Sequence, residues 1–246
     1  MANVLGVVLL VATVLTAVTV LAGASATTMT DRTEAIAGET ARADLGTLAA
    51  ETTALAPGGQ ARQRVPLSGT VDAYSVTDDG RLTVELGSPG SWRTVTDTSL
   101  GAVVADTGSG TVALQGGGVW RVRANDPESA TALRAPPLSV VERADTTLTI
   151  PVYRVGGAYS VTGAAEVTLA DQRPVYRPLY VPDDEAVRIT VRSRFAHAWA
   201  DVFERAVADN ATVDVDDERV RVTLPATPGR DRYLHGAVHR IEIDEP

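Results

Sequence analysis

The side chains best suited to chemistry in this 246-residue chain are three histidines and two acidic clusters; Cys is absent, and all 22 basic residues are Arg. Without thiols there is no disulfide framework, thiolate zinc site, iron–sulfur cluster or cysteine nucleophile to consider. Without Lys there is no phosphate-binding Gly-Lys loop. His235 and His239 form an H-x-x-x-H spacing, which on a helix points both imidazoles the same way. Here Gly236 and the alternation Val238-His239-Arg240-Ile241-Glu242-Ile243 read as a turn and a strand, and no Glu completes the zinc-helix motif. Surface imidazoles are the expectation. His197 lies beside the apolar stripe of a short helix and reads as a partly buried structural residue.

Asp214, Asp216, Asp217 and Glu218 cluster between two apolar alternations, and hard cations favour such carboxylates. The Gly at the sharp turn and the closing Glu of a calcium loop are missing, so a solvated hairpin turn is expected, and Asp183-Asp184-Glu185 reads the same way. No G-x-S-x-G elbow is present. The members of a Ser–His–Asp triad or a carboxylate pair converge only in the fold, and the sequence nominates none. The expectation is therefore a protein that is not an enzyme, with no catalytic, cofactor-binding or metal-ligating residues. Asn210-Ala211-Thr212 is the sole N-x-[ST] sequon. Asn210 reads equally as a glycan acceptor and as a left-handed cap where a helix ends.

The charge balance excludes one class of partner. Asp and Glu total 31, giving a net charge of −9 and a pI near 4.8, which opposes any general grip on nucleic-acid phosphates. An acidic chain with Arg as its only strong base fits a GC-rich genome and a high-salt setting, where screening tames self-repulsion.

Three segments carry these residues: 1–26, 27–56 and 57–246. Between Val4 and Ala26 there is no charged side chain. As a helix those residues reach about 34 Å, enough for a hydrocarbon core of about 30 Å. Ala24-Ser25-Ala26 has the form of a signal-peptidase site that would free the chain from Thr27. The run exceeds the usual length of a signal-peptide core and no Arg precedes it, which favours a retained single-pass anchor in membrane lipid. Nothing basic holds the following residues in the cytoplasm, so the head is placed outside the cell membrane.

Ala41, Leu45, Leu48, Thr52 and Leu55 then fall at alternating spacings of four and three, the mark of an amphipathic helix. Packing against the protein's own head is the favoured use of that stripe, a seam with other subunits the rival. Pro57-Gly58-Gly59 ends it. Beyond, 20 Arg face 26 acids and the grammar is that of strands. Thr70–Val76 and Arg81–Leu86 alternate across Asp78-Asp79-Gly80, which predicts a hairpin. Further strands are predicted at 100–105, 111–115, 119–122, 138–141, 147–155, 166–169, 187–191, 212–215, 220–224 and 238–243, with residues 126–137 left as turns. Phe195, Trp199, Val202, Phe203 and Val207 predict one short amphipathic helix over 194–209. Trp92 and Trp120, outside it, read as organisers of the core. The fold class is mainly β: a long N-terminal helix, then an antiparallel sandwich-like or barrel-like head with that helix.

The opening Asn3-Val4-Leu5-Gly6-Val7-Val8-Leu9-Leu10-Val11, with Gly117-Gly118-Val119-Trp120-Arg121, Ala135-Pro136-Pro137-Leu138 and Thr147-Leu148-Thr149-Ile150-Pro151-Val152-Tyr153-Arg154-Val155, resembles haloarchaeal pilin-like proteins. These are similar to archaellins and type IV pilins in the N-terminal helix and carry a β-rich head of undefined activity. The resemblance implies a subunit or minor component of a cell-surface filament, built from identical or related pilin-like subunits. Val4, Leu5, Gly6, Val7, Leu10, Ala12, Ala17 and Gly23 would form the membrane and assembly helix, the small residues Gly6, Ala12, Ala17 and Gly23 allowing close helix approach. Pilins of that kind carry a short basic leader; Met1 and Ala2 before Asn3 are uncharged, which leaves a late recorded start and an uncut anchor as alternatives. Val7 stands fifth from Asn3, where many bacterial pilins have a registering Glu. A solitary anchored binding module and an exported hydrolase are the competing readings.

Overall fold

The computed structural model describes residues 32–54, 62–68, 71, 73–142, 146–156, 160–207, 211–229 and 232–244. The apolar run at 4–26 and the assembly residues predicted on it lie outside these residues, as does Leu55. Residues 32–54 form the helix α1. Among the described residues, no helix is long and apolar enough to cross a membrane.

The remainder of the described chain is mostly strand. In order it runs β1 (Arg62–Leu67), β2 (Tyr74–Thr77), β3 (Arg81–Ser88), β4 (Ser91–Ser99), β5 (Ala102–Thr107), β6 (Gly110–Gln115), β7 (Gly118–Arg123) and β8 (Asp126–Arg134). It continues with β9 (Ser139–Glu142), β10 (Thr146–Gly156), β11 (Ser160–Val161), β12 (Ala165–Val181), β13 (Ala186–Arg192), the helix α2 (Ala196–Ala206), β14 (Thr212–Asp216), β15 (Arg219–Leu224) and β16 (Arg232–Asp244). A central sheet has the order β11-β2-β5-β6-β7-β8, an outer sheet β14-β15-β13-β3-β4, and a long-stranded sheet β1-β12-β16-β10-β9.

The central sheet is buried on both faces. Ala102, Val103, Val104 and Ala105 are all buried in β5, as are Val112 to Gln115 in β6. Successive residues therefore enter different cores, because side chains alternate along a strand. Ala102, Val104, Ala113 and Trp120 join the larger core, built with the inward residues of the outer sheet and with α2. Val103, Ala105, Val112 and Leu114 join the second, closed by α1 through Ala41, Leu45, Leu48 and Ala49 and by the long-stranded sheet through Val65, Leu67, Val155, Val167 and Leu169. The predicted stripe on α1 is thus buried against the protein's own head. Its two leucines contribute about 1.5–3 kcal/mol each by leaving water.

Polar contacts fix the register of α1. The Asp44 carboxylate accepts the Tyr74 hydroxyl at 2.6 Å and the Ser68 N–H at 2.8 Å. Burial, then the hydrogen bond to Asp44, pushes the Tyr74 phenol far above its usual value, so it stays a donor. Gln63 donates to Glu51 at 2.5 Å, and Arg134 donates to the Gly46 carbonyl at 3.1 Å. At the other side of the head the buried Arg232 donates to the Pro225 carbonyl at 2.8 Å and to the Glu185 carbonyl, tying β16 to the loops of the outer sheet.

Five expectations are corrected. Asp78-Asp79-Gly80 is a corner between sheets and no hairpin turn: β2 pairs with β5 and β11, β3 with β4 and β13. Gly80 takes φ 89° there, and Gln115 fills the space a Cβ would need. Residues 126–134 form the edge strand β8, where Pro127 is tolerated because an edge has a free side. Strands β1, β4, β8 and β11 escaped the pattern because edge strands have one unpaired side and little need of apolar alternation. Trp92 stays outside the core on β4, with the Arg188 guanidinium 4.2 Å over its ring. Finally, β10 and β16 run parallel, the exception among the antiparallel pairings of the described residues, since the long chain between them permits a crossover.

Replacing Leu45 by Ala should cost about 2–5 kcal/mol through the cavity it leaves. Tyr74→Phe, which strips Asp44 of a buried donor, should cost about 1–3 kcal/mol. Urea unfolding of the full chain in detergent measures both; values below 0.5 kcal/mol would show that α1 is only loosely attached.

Candidate functional site

Four connections meet at one end of the head. They are the corner 78–80, the β7–β8 turn with Arg123 to Pro127, the Arg192-Ser193-Arg194 bend leading into α2, and the β14–β15 turn with Asp217 and Glu218. Together they line an open cleft of about 760 Å³.

A buried glutamine sets their positions. Gln115 is fully buried at the end of β6. Its amide Nε2 donates to the Asp79 carbonyl at 3.1 Å, and its Oε1 accepts from Ser193 Oγ at 2.7 Å and from Trp199 Nε1 at 3.4 Å. Its backbone carbonyl accepts Trp120 Nε1 at 2.8 Å. Ser193 Oγ in turn accepts the Phe195 N–H at 3.1 Å, in place of a side-chain cap on α2. Both the nitrogen and the oxygen of the side-chain amide have partners, so the node specifies one arrangement. The Gly116-Gly117 turn beside it holds φ 59° and 83°, and a Cβ would strike Trp199 at the first and Tyr153 at the second.

Around this node Trp120 stacks near Trp199, ring centroids 4.5 Å apart, and near Phe195 at 6.5 Å, while Trp199 meets Phe203 at 5.7 Å. These rings make α2 rigid against the central sheet. The predicted helix is found, shortened to 196–206.

The lining is charged in both senses. Asp79 accepts Arg194 Nε at 2.7 Å, and the Ser99 hydroxyl donates to Asp78. Arg81 grips Asp97 with two donors at 2.7 and 2.5 Å, and Arg219 meets Asp216 at 2.6 Å. Register places Arg81 opposite Arg192 and Arg192 opposite Arg219, so three arginines stand side by side across β3, β13 and β15. The outer two have carboxylate partners; among the described residues none is bonded to the Arg192 side chain.

The predicted residues are spread over the fold. Asn210 lies outside the described residues. His235 and His239 sit on β16 opposite Thr149 and Tyr153, far in the topology from α2. His197 opens α2, its Nε2 buried without a hydrogen bond and 3.8 Å from Asp217 Oδ1. Of the acidic cluster, Asp217 and Glu218 form the expected hairpin turn, while Asp214 and Asp216 are exposed residues of the strand β14 that leads into it. Among the described residues no three His, Asp or Glu gather into a metal-binding group. The cleft itself escaped the sequence reading, because nothing in Arg81, Arg192 and Arg219 taken singly reveals that they are register neighbours.

A family described as of unknown function, DUF7289, matches residues 1–244. No curated protein and no solved structure matches the chain.

Acid should loosen this end of the head. The hydrogen bond from Arg81 holds the Asp97 carboxyl below its ordinary 3.8. At Asp216 desolvation works the other way, but hydrogen bonds from Glu218 N–H and Arg219 prevail and its value is also lowered. Both groups have folded values below the unfolded one, so their stabilisation is complete above pH 3.8 and is lost as pH falls through the lower folded values. Thermal midpoints should drop below that pH, less in Asp97→Asn and Asp216→Asn, whose bonds are already weakened. An unchanged acid limb in the double variant would remove these pairs from the account.

Proposed function

The chain belongs to the DUF7289 family, whose description assigns no activity, and from the chain's own residues we propose that it is a non-enzymatic, pilin-like protein of the cell surface, anchored by its N-terminal helix. It acts as a subunit or minor component of a type IV pilus-like filament, with a sandwich-like head outside the membrane. The observation that carries this reading is the docking of α1: the segment that follows the apolar run is built into the core of the head. A head fixed to its helix follows that helix wherever it assembles. In a filament the apolar runs would leave the lipid and pack together through Gly6, Ala12, Ala17 and Gly23.

The strand edges support assembly through the helix and not through the sheets. β1 carries Pro66, and β8 carries Pro127 and shifts of register. Asp214 and Asp216 stand exposed on β14, and β4 is bulged opposite Val84 and Glu85. Prolines, charges and bulges are the usual means of stopping one sheet from extending into another.

The absence of Cys makes a clean test. Single variants Ala12→Cys and Ala17→Cys are oxidised in whole cells, and material sheared from the cells is run without reductant. The expected result is the chain in the sheared fraction, with a disulfide-linked dimer at one or both positions and none for Val215→Cys on the head. A chain absent from sheared material and monomeric at both helix positions would overturn the filament reading and leave a solitary anchor.

A further inference from the structure

The row of arginines at the cleft has an energetic consequence. Register partners on neighbouring strands have Cα atoms about 4.5–5.5 Å apart, and like charges placed directly opposite one another are destabilising. Arg81 and Arg219 are each neutralised by a carboxylate at 2.5–2.6 Å. Arg192, between them, has no bonded partner among the described residues and is exposed on the cleft wall. Arg123 lines the same cleft with its side chain likewise unpaired among the described residues. Two free guanidinium forks in one concave place make a receptor for a planar or tetrahedral oxyanion, which Arg binds through paired donors.

The remaining walls narrow the ligand. Asp126, Asp217 and Glu218 face the same space, and a polyanion such as nucleic acid or a polyphosphate would be repelled by them. Carboxylates accept hydroxyl groups well, and Ser99 and Thr111 add hydroxyls to the wall. Among the described residues no aromatic side chain lines the cleft, so none offers a base or ring a face to stack upon. A single negative charge on a body rich in hydroxyls satisfies both sets of groups, and a cleft of about 760 Å³ has room for one or two sugar rings.

We propose that this cleft binds a sugar carrying one anionic group, a carboxylate or a sulfate, with Arg192 and Arg123 receiving the anion and the carboxylates of Asp126, Asp217 and Glu218 accepting hydroxyls. Binding removes the charge repulsion within the arginine row. The site stands on the head's own geometry and does not depend on the filament reading.

The test uses the full chain in detergent, titrated calorimetrically with glucuronate, glucose 6-sulfate, glucose and inorganic sulfate. The expected result is binding of one or both anionic sugars, more weakly or not at all for glucose and inorganic sulfate. Binding of glucuronate alone identifies a carboxylate site, and of glucose 6-sulfate alone a sulfate site. Arg192→Ala should lower the affinity by about 10- to 100-fold, as expected for a charge-assisted hydrogen-bonded pair, while Arg205→Ala on α2 leaves it unchanged. Because Arg192 lacks a partner, Arg192→Ala should keep or raise the unliganded thermal midpoint. No binding of either anionic sugar at 10-millimolar order, equal binding of inorganic sulfate, unchanged affinity in Arg192→Ala, or a lowered unliganded midpoint in that variant would each overturn the proposal.

Discussion

A sheet with both faces apolar cannot stand alone in water, and that constraint organises this protein. The strands β5, β6 and β7 bury runs of consecutive residues, Ala102 to Ala105, Val112 to Gln115 and Gly118 to Trp120, so that both faces are covered there. Two covers are therefore required. The outer sheet and α2 supply most of one, α1 together with β1, β10 and β12 of the long-stranded sheet the other, and each cover brings its own core. Antiparallel sheets usually leave one face wet; this one is closed on the second side by the long-stranded sheet together with a helix that lies next to the apolar N-terminal run in sequence. Helix α1 is thereby part of the head's stability, and the proposed role in assembly rests on that coupling.

The second organising feature is polar. Gln115 lies where the central sheet, the corner at Asp79 and the start of α2 meet, and its hydrogen bonds decide how they are joined. An apolar residue there would leave the Ser193 hydroxyl, the Trp199 indole and the Asp79 carbonyl each with one partner fewer inside the core. The cleft follows from that node. Its walls are turns from different sheets, held at fixed separations by Gln115, by the Arg194–Asp79 pair and by the bond from Ser193 N–H to the Glu218 carbonyl at 2.8 Å.

How much of this was legible in the sequence varied with the range of the interaction. The stripe Ala41, Leu45, Leu48, Thr52 is local, and helical spacing alone placed it on one face and favoured the head as its partner. The short helix around Trp199 was legible for the same reason. Strands buried in the sheets were found by their apolar alternation, whereas β4 and β8, exposed at edges and rich in Thr, Ser and charge, had no such signal. The corner at Asp78-Asp79-Gly80 has the residues of a hairpin turn, and only the pairing of β2 with β5 decides that it joins two sheets. Strand register, which aligns Arg81, Arg192 and Arg219, is a long-range property with no local trace.

Native-state hydrogen exchange on the full chain in detergent tests the central claim, that α1 is an obligate cover of the central sheet. If it is, the amides of α1 and those of β5, β6 and β7 exchange with the same free energy, that of global unfolding, since neither element survives without the other. Exchange of the α1 amides at a markedly lower free energy, with the central sheet still protected, would show a helix that undocks freely and would contradict the account.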